Sequence, residues 1–217
     1  MVTNKKIAYF NINLLYINMD DKQVYLVFFM SILIIALCYK IYTESDIFNL
    51  VCIVSEVDHN KYCIRDRKYK KKAVNLLASV VDDLKRFVKY LVKKHPNNEV
   101  IETLKFNFNP KKIVETLPTS EHTAYSENKG EKMAFCLNKT RNTNSKLIDR
   151  NTLMFVALHE LTHLATTEVG HTPQYWKNFK FLLENAVEFK IYDPINYKQH
   201  PKKYCGMKIT DNPYYDL

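Results

Sequence analysis

The run from Leu153 to Ala165 is apolar almost all round, yet it carries His159-Glu160-Leu161-Thr162-His163. A helix apolar on every side is a buried helix. Two imidazoles and a carboxyl on such a helix cost several kcal/mol unless something satisfies them. Residues four apart share a face at adjacent turns, so His159 and His163 can bind one metal ion from one side. Glu160 then stands where it can polarise a metal-bound water. A pair of hydrogen-bonded core histidines is the plainer alternative, but two histidines and an acid at ligand spacing are hard to explain as packing. Polar N-cap candidates, Arg150-Asn151-Thr152, precede the run.

A catalytic zinc takes three protein ligands and keeps a fourth position for water. His171, Glu168 and Glu184 are the downstream candidates. His171 has the better setting. Gly170 before it can break the helix and turn the chain back. Thr172-Pro173 after it reads as the N-cap and first residue of a new helix. Tyr175, Trp176, Phe179, Leu182, Leu183 and Ala186 give that helix an apolar stripe. The expected set is therefore His159, His163 and His171 on Zn2+. Glu184 on the second helix is the alternative third ligand.

His159-Glu160-Leu161-Thr162-His163 followed by Gly170-His171-Thr172-Pro173-Gln174-Tyr175-Trp176 resembles the WLM and SprT-like zinc metallopeptidases. Seven residues separate the second and third histidines, longer than in typical WLM members and within the looser SprT-like range. From about Tyr62 to Tyr204 the chain also resembles WLM-type proteins of large DNA viruses. Asp58-His59-Asn60-Lys61-Tyr62-Cys63-Ile64-Arg65, Tyr125 to Lys132 and Lys203 to Met207 carry that kinship. The resemblance implies an α+β, zincin-like domain with a small mixed or antiparallel sheet packed on helices.

Ahead of that domain, no charge occurs from Gln23 to Tyr39. The span from Val24 to Tyr42 is close to the roughly 20 residues that cross a bilayer. Tyr25, Tyr39 and Tyr42 suit its interfaces. The expected organisation is an N-terminal segment (1–23), a transmembrane signal anchor (24–42) and a metallopeptidase domain (43–217). A buried soluble helix and a cleaved signal peptide are the competing readings. Lys40 and the basic run that follows lean the C-terminal domain towards the cytosol, at a single-pass host or virion membrane if the viral kinship holds.

The chain has 217 residues and a net charge of +9. Much of the excess lies between Lys61 and Lys72. Such a run serves nucleic acid, anionic lipid or acidic substrates, or is simply a solvated segment leading into a helix. Cys38, Cys52, Cys63, Cys136 and Cys205 form no C-x-x-C pair, and their odd number and wide spacing point to reduced thiols. Asn138-Lys139-Thr140 is a glycosylation sequon. The three glycines, Gly130, Gly170 and Gly206, mark places where the backbone needs them.

Leu50 to Val54 reads as a short strand. Residues 70–94 read as an amphipathic helix, with Ala73, Leu77, Val80, Leu84, Phe87 and Leu91 recurring at three and four and Pro96 ending it. His122 to Leu137 reads as a hairpin turning near Gly130, a wall on which an extended peptide can add as a further strand.

These residues imply zinc-assisted hydrolysis of a polypeptide, with Glu160 as general base. Tyr204 or His200 is the expected second donor to the oxyanion. Two other functions compete. In one, Glu168 or His200 closes the zinc site of a membrane-tethered, non-catalytic interaction module. In the other, by resemblance, the protease acts on protein–DNA crosslinks. A membrane anchor fits that poorly, so nucleic acid is the less favoured partner.

Overall fold

The computed structural model describes residues 20–142 and 144–216. The N-terminal segment of the sequence reading falls almost wholly outside these residues. The described residues divide into two units, one ending at Tyr42 and the other beginning at Thr43. Helix α1 runs Asp21–Glu44, and none of its residues is buried. Its 24 residues reach about 36 Å at 1.5 Å each, longer than the hydrocarbon core of a bilayer. The Asp20 carboxylate caps it, accepting from the Gln23 N–H at 2.8 Å.

The second unit is α+β. A short helix, α2 (Asp46–Asn49), leads into a hairpin of β1 (Leu50–Val54) and β2 (Lys61–Arg65). Next come α3 (Lys70–Lys94), α4 (Glu99–Asn107) and β3 (Ile113–Glu115). The hairpin β4 (Ala124–Glu127) and β5 (Lys132–Phe135) follows. Helices α5 (Arg150–Ala165) and α6 (Pro173–Glu188) precede a final hairpin, β6 (Lys202–Tyr204) and β7 (Met207–Ile209). The central sheet has the order β3-β5-β4, with β3 parallel and β4 antiparallel to β5. It is a mixed sheet, one of the two forms expected, and β4 is an edge strand.

Helix α3 has the predicted bounds, and all six of its stripe residues are buried. Pro96 cannot continue it, and the His95 N–H closes the last turn on the Leu91 carbonyl at 2.9 Å. Helix α5 lies at the centre, packed on α3, α4, α6 and the β4–β5 hairpin. That position explains its apolar circumference. Its N-cap is Asp149, one residue ahead of the expected candidates, and the carboxylate accepts from the Thr152 N–H at 2.9 Å.

One expectation is corrected. The thiols outside α1 are paired: Cys52 with Cys63 and Cys136 with Cys205, leaving Cys38 free. Cys52 and Cys63 face each other across β1 and β2, and the second bridge spans 69 residues of sequence. Linear spacing reports neither, because tertiary register chooses the partners. The sequon residue Asn138 is 0% exposed and donates to the Ser145 carbonyl at 2.7 Å. In the fold it is a bracket between loops, so the sequon says nothing about which side of a membrane the unit occupies.

The basic run is also only partly a solvated face. Arg65 and Arg67 are buried, and both pair with the buried Glu115 at the end of β3. The Glu115 carboxylate accepts from the Arg65 N–H at 2.8 Å. The Arg65 guanidinium donates to the Thr116 and Leu117 carbonyls at 2.7 and 2.9 Å, and that of Arg67 to the Asn138 side-chain oxygen. This cluster ties β2 to β3 and to the loop after β5. Glu115→Ala would strand two guanidinium groups away from water, and it is expected to cost about 3–5 kcal/mol. Chemical denaturation checks this; a loss under about 1 kcal/mol would mean that water reaches the cluster.

Candidate metal centre

His159 and His163 project from one face of α5, one turn apart. His171 reaches them from the loop between α5 and α6. The nearest imidazole nitrogens of His159 and His171 are 3.1 Å apart, and one nitrogen from each of the three rings lies within 4.8 Å of the others. Tetrahedral zinc with bonds of about 2.0–2.1 Å holds its ligand atoms about 3.4 Å apart. The donor set and its spacing are therefore compatible with binding one metal ion.

Burial, and then repulsion by the other two imidazoles, pushes His159 down to about 3. Burial, His171 and Lys129 push His163 down to about 4. Both rings are thus neutral at pH 7, with the lone pairs that a metal requires. Glu160 is 4% exposed, and burial raises its carboxyl to about 8. A cation beside it would draw that value back down.

Tyr175 braces the cluster. Its ring centroid lies 5.3, 4.4 and 4.7 Å from those of His159, His163 and His171. Its hydroxyl donates to the His159 carbonyl at 3.1 Å. Trp176 stacks on His171 at 5.5 Å. Thr172 caps α6 by accepting from the Tyr175 N–H at 3.2 Å, with Pro173 in the first turn, as the Thr-Pro pair predicts.

The loop bearing His171 is held by a residue that sequence reading passed over. The Lys129 ammonium donates to the carbonyls of Thr166, Thr167 and Glu168 at 2.7, 3.1 and 3.1 Å. Asn107 donates to the Leu164 carbonyl at 2.8 Å. Together they satisfy carbonyls that the end of α5 leaves open. Gly130 allows this approach. Its φ is +105°, and a Cβ there would stand 2.0 Å from the Asn107 carbonyl oxygen. The one legible signal was Asn128-Lys129-Gly130 as a turn, which says nothing of a lysine reaching α5.

An open cavity of about 550 Å³ lies in front of the cluster, lined by His159, Glu160, His163 and His171 on one side and by Ala124 to Ser126 of β4 on the other. The expected hairpin wall is thus beside the histidines. Glu168 lines this cavity but is not in the histidine cluster. Glu184 is exposed on α6 and lines a separate cavity that no histidine borders. His200 is exposed after β-less residues 191–199 and lines neither cavity at the cluster. Tyr204 is buried beside Glu160, but its only hydroxyl proton goes to the Thr123 carbonyl at 3.1 Å, while the oxygen accepts from the Cys136 N–H at 3.0 Å. It anchors the entry to β4, and the expected oxyanion contact lacks a free donor there.

No known family profile matches the chain. Over 169 residues it is 30% identical to uncharacterized protein R325 of Acanthamoeba polyphaga mimivirus, spanning 74% of this chain and 82% of that protein. The chain belongs to that viral family. Uncharacterized protein 042R of Invertebrate iridescent virus 3 is 39% identical over 101 residues, 46% of this chain and 57% of that protein. The expected kinship with proteins of large DNA viruses therefore holds. The crystal structure of Wss1 from Saccharomyces cerevisiae aligns with a TM-score of 0.44 at 19% identity, over 58% of this chain and 87% of that one. That likeness is too shallow to bear on the viral family's activity.

Proposed function

We propose that this member of the viral family is a WLM/SprT-like zinc metallopeptidase, with α1 as a membrane anchor. The convergence of His159, His163 and His171 around one point, with the Glu160 carboxyl beside it, carries the reading. His159, His163 and His171 hold the ion. When bound, zinc lowers the pKa of water to about 7 and polarises a carbonyl oxygen. Glu160 takes the water's proton on its carboxylate and returns it to the departing amine. The edge of β4 aligns an extended substrate through main-chain hydrogen bonds. Tyr175 and Trp176 fix the imidazole orientations, and Lys129 fixes the loop behind His171.

The test is hydrolysis of an unfolded protein substrate by the full chain in detergent. Activity should vanish with a chelator and return with about one equivalent of zinc per chain. Activity that persists in chelator would sink the proposal.

Lys129→Ala is expected to weaken zinc binding about tenfold, the lower end of effects from groups behind a ligand. Competition with a chromogenic chelator measures this; unchanged affinity would make Lys129 a packing residue only.

The two disulfides favour an oxidising surroundings for Thr43–Leu217, outside the cytosol or on a virion surface, against the lean of the flanking lysines. Alkylation of intact cells before lysis should leave four of the five cysteines blocked from reagent; four free thiols would return the unit to the cytosol. The crosslink-protease reading loses support from the burial of Arg65 and Arg67 and from the pairing of Lys70 with Asp66 at 3.0 Å. Salt-sensitive DNA binding by the full chain would restore it.

A further inference from the structure

A second cavity, of about 290 Å³, opens on the same two residues that the peptidase reading places at the chemistry. His159, Glu160 and Ala124 of β4 line both it and the larger cleft. The rest of its wall differs in kind. Phe155 and Phe179, both buried, flank it from α5 and α6. Trp176 and Met207 also line it, and they are 44% and 49% exposed. Large apolar side chains left half in water at the mouth of an apolar recess mark a surface that a ligand can cover.

The recess is also built to stay open. Its outer wall is the β6–β7 hairpin, which the Cys136–Cys205 bridge fastens to the end of the central hairpin. The Cys205 and Gly206 N–H groups donate to the Asn138 and Lys139 carbonyls, each at 3.0 Å. The Tyr204 hydroxyl ties the same hairpin to Thr123 and Cys136. Asp211 is the one acid besides Glu160 on the wall, and it shares the Lys198 ammonium, 3.3 Å away, with Asp216 at 2.7 Å. The rest of the lining is largely aromatic and aliphatic, so a charged side chain would lose water there for little return.

We propose that this recess receives the side chain of a substrate residue flanking the scissile bond, and that it selects a large uncharged one, aromatic or long aliphatic. The proposal rests on the peptidase reading. A peptide laid along β4 projects alternate side chains to one face. Ala124 of β4 and Glu160 line both cleft and recess, so a side chain leaving a strand added at β4 can pass from one into the other.

Peptide hydroxamates test this without turnover, because the hydroxamate chelates zinc and one side chain is varied. Calorimetry is run on the zinc-loaded full chain in detergent, with glycine, leucine, phenylalanine or lysine at the position next to the chelating group. Leucine and phenylalanine should bind about 10–100-fold more tightly than glycine, and lysine no better than glycine. Val156→Phe, which fills the recess from α5, should erase the preference while glycine hydroxamate still binds. Met207→Trp at the exposed rim does the same should Val156→Phe fail to fold. Equal affinity for all four side chains overturns the recess proposal and leaves the zinc site standing. Failure of every hydroxamate to bind a zinc-loaded chain overturns the peptidase reading, and this proposal with it.

Discussion

Glu160→Gln is expected to leave about one zinc per chain and to lower peptide hydrolysis by about 10²–10⁴-fold, the contribution of a positioned proton acceptor. The substitution keeps the size of the side chain and removes its ability to take a proton. Glu160 is buried beside the three histidines but is not in their cluster, so metal binding should not depend on it. A neutral amide is easier to bury than a carboxylate, and stability should be held or raised. The outcome separates the two zinc readings. A non-catalytic zinc module has no duty for Glu160, so its partner binding would be unaffected. Unchanged proteolysis by a zinc-loaded Gln variant would remove the general-base assignment.

His171→Ala is expected to have the largest effect on the metal itself. It removes one of the three ligands proposed above, and zinc affinity should fall by more than the roughly 10–100-fold that changes behind a ligand cause. Glu184→Ala is the matched control. Glu184 lines a cavity that contains none of the three histidines, so its loss should leave zinc affinity unchanged. The fold should survive the His171 change, because His171 is exposed and Thr172 still caps α6. Competition with a chromogenic chelator reads both variants. Retained affinity in the His171 variant, with loss in the Glu184 variant, would reverse the ligand assignment.

What was legible in the sequence was local and periodic. The stripe from Ala73 to Leu91 defines α3 because a 3.6-residue period is written in consecutive residues. Thr172-Pro173 marks the start of α6 because capping chemistry acts over three residues. The histidine cluster was legible for the same reason, as two histidines one turn apart and a third just before a cap. What escaped is set by residues distant in sequence. Arg65 and Arg67 look like surface charge until Glu115, about fifty positions on, turns inward to meet them. Cys136 and Cys205 look unpaired until the last hairpin folds back on the central one. Lys129 looks like a turn residue until the end of α5 arrives beside it. Asn138 fits the sequon pattern and is consumed by the Arg67 guanidinium. In each case the partner is one that only the assembled core brings within reach.

The most direct test of the central claim is zinc-edge X-ray absorption on the full chain, loaded with one equivalent of zinc in detergent and compared with the His171→Ala variant. The account predicts three imidazole nitrogens at about 2.0–2.1 Å and one oxygen from solvent, with one imidazole lost in the variant. A spectrum with two imidazoles and a protein carboxylate, or one that His171→Ala leaves unchanged, would contradict it.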